Sequence, residues 1–118
     1  MASGPPAGTS LFVYGTLMSE ELLQSLTGRR FPRCPATLED YTRIFPHELR
    51  GYPHIVPRQG ERVTGVLIEN VDPTSLRALD AYEDEGRFYL RRPIEVTARG
   101  ERVACETYLA NLAGVSHR

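Results

Sequence analysis

The chain has 118 residues, 41% of them hydrophobic and 25% charged, proportions that fit one globular domain around a single core. Its formal net charge is −1, which leaves no electrostatic drive toward nucleic acid or anionic membrane, and no apolar run is long enough to span a bilayer. All 14 basic residues are arginine, so a lysine Schiff base is excluded.

Residues 1–10 are small, uncharged and rich in Pro and Gly, and predict a disordered leader. No basic-then-apolar signal segment opens the chain. Cys34 and Cys105 are therefore expected as reduced thiols in a cytoplasmic protein. Leu11-Phe12-Val13-Tyr14 is short, apolar and β-prone, which predicts a buried strand. Ser19 is a good N-cap, Glu20 and Glu21 suit the positive end of a helix, and Leu22, Leu23 and Leu26 form one apolar stripe that Gly28 ends.

Between Arg29 and Arg50 the prolines Pro32, Pro35 and Pro46 predict an irregular strand and a loop, with alternation from Ala36 to Phe45. Gly51-Tyr52-Pro53 and Gln59-Gly60 read as turns, and Arg62–Val71 reads as a strand. Asp72-Pro73 is a strong helix start, an Asp N-cap followed by Pro at the first helical position. That helix is expected to run to about Asp84. Phe88–Ala98 and Glu101–Leu109, around Arg99-Gly100, predict a β-hairpin. Two helices and five or six strands without strict βαβ alternation point to an α+β domain on a mixed, barrel-like sheet. The domain is expected over residues 11–110, with a tail at 111–118.

Glu83 breaks the pattern of its helix. On a wheel of about 100° per residue it falls between Leu76 and Leu79, inside the apolar arc. Arg77, Asp80, Ala81 and Asp84 fall on the opposite side. A carboxylate among leucines is either paired or raised in pKa, as a general acid or base requires near neutral pH. The other reading is a frayed last turn whose side chain reaches water. Leu76 and Leu79 are expected to pack into the barrel.

The loop Tyr14-Gly15-Thr16-Leu17-Met18 joins a buried strand to a capped helix. Its successive N–H groups, near the positive end of that helix, could hold a carboxylate or an oxyanion. An ordinary strand-to-helix turn fits the same residues.

Three motifs resemble the gamma-glutamylcyclotransferase-like (AIG2-like) family. LFVYGTLM resembles its opening strand and loop. GYPHIV followed by GERVTGVLIENV resembles its central loop and strand. LRALDAYE followed by FYLRRPIEV resembles its second helix and following strand, and the likeness runs from Leu11 to Leu109. The resemblance implies a small mixed β-barrel with packed helices, Glu83 as catalytic acid/base, and Tyr14, Gly15, Thr16 and Leu17 as binders of a gamma-glutamyl group. It implies no cofactor and no metal. Two places depart from the family pattern. Asp84-Glu85 precede Gly86 where family members often have Gly directly after the Glu, and the chain ends soon after Tyr108 where many continue.

Arg91 matches the family's Y-x-R, and reads either as a structural ion pair or as a binder of the substrate carboxylate. Tyr52 and Tyr89 read as pocket walls or as core aromatics. His47, His54 and His117 lack metal-ligand spacing and no C-x-x-C occurs, while Cys105 in an alternating strand reads as core. The expected activity is release of 5-oxoproline and a free amine from a small gamma-glutamyl substrate, by a monomer or homodimer without nucleic-acid or membrane partners. The alternative is a non-catalytic module binding a small metabolite in the same pocket.

Overall fold

The computed structural model describes residues 8–44, 54–86 and 89–110. The expectations for residues 1–7, for Tyr52 and its turn, for His47 and for the tail at 111–118 lie outside the described residues. Five strands and two helices follow in the order β1 (Thr9–Val13), a 3-10 turn (Thr16–Met18), α1 (Glu20–Thr27), β2 (Arg33–Ile44), β3 (His54–Val71), α2 (Pro73–Glu83), β4 (Tyr89–Ala98) and β5 (Glu101–Ala110). Thr9 and Ser10, expected in the leader, belong to β1.

Strand β1 pairs antiparallel with β3 and parallel with β5, which closes the sheet in the order β1-β3-β2-β4-β5. The alternation of β1 divides the core. Phe12 and Tyr14 join Ala36, Leu38, Val63, Leu67, Val96 and Cys105 inside the ring of strands. Leu11 and Val13 face the other way, onto Leu17 and Leu23 of the first helical segments and Leu76 and Leu79 of α2. The two leucines of α2 therefore pack on the outer face of the barrel and not inside it. A helix cannot enter a five-stranded ring that its own strand side chains already fill.

The capping chemistry acts as the sequence predicts. Ser19 accepts the Leu22 N–H at 3.2 Å and Asp72 accepts the Ser75 N–H at 3.1 Å. At the hairpin, Arg99 (φ 54°) and Gly100 (φ 76°) both take the left-handed conformation, the two-residue turn whose twist matches the flanking strands. The predicted turn at Gln59-Gly60 is not one. Strand β3 runs through it, and the pairing steps from Glu39↔Arg62 to Tyr41↔Pro57. Gly60 (φ 88°) and Asp40 (φ 65°) absorb the mismatch, and the Asp40 carboxylate accepts the Gly60 N–H at 2.9 Å. This is bulge geometry, which bends a strand without ending it.

Candidate active site

A cavity of about 390 Å³ opens where the end of β1 meets the end of α2. Its walls are Phe12 to Leu17 from β1 and the turn after it, Ala81 to Asp84 from α2, Tyr89 from β4 and Tyr108 from β5. The structure thus brings Tyr14, Gly15, Thr16, Leu17, Glu83 and Tyr89 of the sequence-predicted residues around one space.

Glu83 reaches that space because its helix ends in a defined way. Asp84 takes the left-handed conformation (φ 58°, ψ 49°). Its N–H donates to the Ala81 carbonyl at 3.2 Å, and the Glu85 N–H donates to the Asp80 carbonyl at 2.9 Å. These paired bonds form a Schellman closure, so the last turn is tied down and does not fray. Asp84 supplies the backbone conformation that a glycine would supply after the Glu, because Asp tolerates it better than most side chains.

Burial pushes the Glu83 carboxyl up to about 7, from an ordinary value of 4.5. The negative end of α2 acts in the same direction. Among the described residues, no hydrogen bond or ion pair reaches the carboxylate. Its charge in turn helps to raise Tyr14 and Tyr108, for both of which burial is the larger cause.

The two phenols stay protonated and commit their protons to fixed partners. Tyr14 donates to the backbone carbonyl of Tyr108 at 2.5 Å, and Tyr108 donates to Asp80 Oδ1 at 2.6 Å. Across the mouth, the hydroxyls of Thr16 and Tyr82 lie 2.9 Å apart.

In the turn, the N–H groups of Met18 and Ser19 donate to the carbonyls of Gly15 and Thr16, both at 3.0 Å. A 3-10 turn leaves its first N–H groups, here those of Thr16 and Leu17, without acceptors inside the turn. Arg43 on β2 donates to the Tyr14 carbonyl at 2.8 Å, and its guanidinium sits 5.9 Å from the centre of the Tyr14 ring. These contacts hold the exit of β1.

Arg91 is not among the cavity walls. Its guanidinium grips both oxygens of Asp80, at 2.8 and 3.0 Å, and also pairs with Glu106. That arrangement pins α2 to the β4–β5 hairpin. Asp80, placed on the solvent side by the wheel, is instead drawn to the hairpin by Arg91 and Tyr108. Cys105 is buried, and desolvation pushes its thiol up to about 12, while Cys34 is also a free thiol. Among the described residues no group of His, Cys, Asp or Glu could hold a metal ion, and no helix is long and apolar enough to cross a membrane.

Sequence reasoning missed Tyr82, Asp84 and Tyr108 as walls of the cavity. Tyr82 had a local signal, since it directly precedes the misplaced carboxylate. Tyr108 had none, because an alternating strand says which residues share a face and not what that face meets.

Comparison with known proteins follows the same outline. A sequence profile described as gamma-glutamyl cyclotransferase, AIG2-like, matches residues 11–118. AIG2-like protein D of Arabidopsis thaliana is 32% identical over 110 residues, covering 91% of this chain and 70% of its own length. The gamma-glutamylaminecyclotransferase of Bos taurus is 33% identical over 127 aligned positions, covering 94% of this chain and 74% of its own length. A solution structure of an Arabidopsis thaliana protein has a TM-score of 0.75 at 29% identity, over 93% of this chain and 66% of that one. A structure named gamma-glutamyl cyclotransferase has a TM-score of 0.74 at 22% identity, over 87% of this chain and 66% of that one, a likeness of fold. The chain spans about two-thirds of the length of these two solved structures.

Proposed function

The chain belongs to the gamma-glutamyl cyclotransferase, AIG2-like family, and from that premise we propose that it releases 5-oxoproline and a free amine from an L-gamma-glutamyl amine or peptide. One observation carries this reading. A carboxyl raised to about 7, at Glu83, shares a cavity with the turn from Tyr14 to Leu17. The name of the bovine relative adds that gamma-glutamyl amines are the substrates to try first.

The reaction is an internal acyl transfer. The substrate's α-amine attacks its own γ-amide carbonyl, forming the ring C–N bond and then breaking the bond to the leaving nitrogen. Two protons leave the α-ammonium group and two arrive on the leaving amine, so no proton is gained or lost overall. Glu83 carries them one at a time, first as base and then as acid, and a pKa near the working pH suits both roles. The N–H groups of the turn would stabilise the charge that develops on the γ-carbonyl oxygen. Attack is unimolecular, so the cavity's further task is to hold the folded-back conformer.

The test is incubation with a panel of gamma-glutamyl amines and gamma-glutamyl dipeptides, with 5-oxoproline measured directly. Production of 5-oxoproline from at least one of them supports the reading. Saturable binding across the panel without 5-oxoproline would replace it with a non-catalytic metabolite-binding role.

A further inference from the structure

Two phenols at the inner wall of the cavity, Tyr14 and Tyr108, have each spent their one proton. Tyr14 donates to the Tyr108 carbonyl at 2.5 Å, and Tyr108 donates to Asp80 at 2.6 Å. Asp80 acts there as an acceptor throughout: both its oxygens also accept from Arg91, at 2.8 and 3.0 Å. A phenol oxygen whose proton is committed can only accept further hydrogen bonds. Both residues line the cavity that Glu83 lines. Their phenols also lie within electrostatic reach of the Glu83 carboxylate.

We propose that the hydroxyl oxygens of Tyr14 and Tyr108, together with the Glu83 carboxylate, form a three-acceptor cradle for the primary ammonium group of the substrate. This rests on the reading of the cavity as a gamma-glutamyl site, and it makes Tyr108 a substrate-binding residue. An ammonium group has three N–H donors and no acceptor, so three acceptors match it. The groups facing Glu83 are Tyr14 at the end of β1, Tyr89 on β4, Tyr108 on β5 and Asp84 beside it on α2. None of these is a cation; the two arginines that act on the phenols, Arg43 on Tyr14 and Arg91 on Tyr108, are not among the cavity walls. The Asp80 charge behind Tyr108 makes that phenol oxygen a stronger acceptor, as in any polarised hydrogen-bond chain. The cradle also places the nucleophile against the group that must deprotonate it.

The experiment compares two ligands on two proteins. L-Glutamine carries the α-ammonium group, and glutaric acid monoamide is the same amide and carboxylate without it. Dissociation constants are measured by NMR titration on the wild type and on Tyr108→Phe. A hydrogen bond to a charged donor is worth about 1.5–3 kcal/mol, so Tyr108→Phe should weaken L-glutamine by about 10- to 100-fold. Glutaric acid monoamide should bind both proteins alike. Equal weakening of the two ligands, or no weakening of either, overturns the cradle.

If Tyr108→Phe does not fold, Tyr14→Phe takes its place, since it leaves the Asp80–Arg91 pair intact and predicts the same ligand-dependent loss. The outcome is independent of turnover. Ammonium discrimination without 5-oxoproline formation would uphold the cradle and remove the enzyme. Turnover without ammonium discrimination would do the reverse.

Discussion

The hydroxyl of Thr16 lies 2.9 Å from the hydroxyl of Tyr82, so the turn after β1 and the last turn of α2 are joined across the mouth of the cavity. The two residues are 66 positions apart in sequence. Tyr82 is the largest exposed apolar side chain among the described residues, at 43%, and it directly precedes Glu83. The pair thus ties the proposed binding turn to the proposed acid/base.

Tyr82→Phe removes that link and little else. An exposed hydrogen bond contributes about 0.5–1.5 kcal/mol net, so KM for a confirmed substrate should rise roughly 2- to 10-fold. The same contribution should lower the melting temperature by only a few degrees. Steady-state kinetics beside thermal denaturation tests this, and an unchanged KM would show that the turn needs no tie to α2.

Glu83→Gln keeps the shape of the side chain and removes proton transfer. General acid/base catalysis contributes about 10²–10⁴-fold, so kcat should fall by that order while ligand binding persists. Glu85→Gln is the control, because Glu85 accepts the Arg91 N–H at 3.3 Å and does not line the cavity. Its kcat should match wild type. Full activity in Glu83→Gln would move the proton transfer to another group.

The pH dependence of stability has a definite sign. Glu83 sits at about 7 when folded against 4.5 unfolded. Between those values the folded protein binds more protons than the unfolded chain, so this group's contribution falls as pH rises through that window. It is fully present below about 4.5 and lost above about 7. Glu83→Gln should therefore gain stability over wild type at pH 8 more than at pH 5. Urea midpoints of both proteins at the two pH values measure the difference, and equal midpoint gaps would mean that Glu83 is not desolvated. On the free enzyme, kcat/KM should climb with pH through about 7 as the base ionises.

Asp84 holds a left-handed backbone at φ 58°. Asp84→Val should lose about 1–2 kcal/mol, the cost of that conformation for an unsuited side chain. Asp84→Gly should remain within about 1 kcal/mol of wild type. Thermal denaturation ranks the three proteins, and a Val variant as stable as the Gly variant would show that the closure of α2 does not hold Glu83 in place.

What could be read from the sequence was local. The caps at Ser19 and Asp72, the hairpin turn at Arg99-Gly100, and the misplaced carboxylate at Glu83 each depend on residues within a turn or two, where periodicity and backbone preference act directly. The rest was decided by residues far apart in the chain. Strand β3 continues through Gln59-Gly60 because Asp40, twenty positions away, accepts the Gly60 N–H. Asp80 leaves its expected solvent face because Arg91 and Tyr108 approach it from the hairpin. A Cβ at Gly65 would stand 2.3 Å from the Val13 carbonyl oxygen, so this glycine lets β1 lie close against β3 just before the turn. Side-chain period is a property of one strand or helix, whereas a cavity is made where several of them meet. The sequence alone therefore placed Glu83 on the apolar arc of its helix, and only the closed sheet decided that it would share a cavity with Tyr14 and Tyr108.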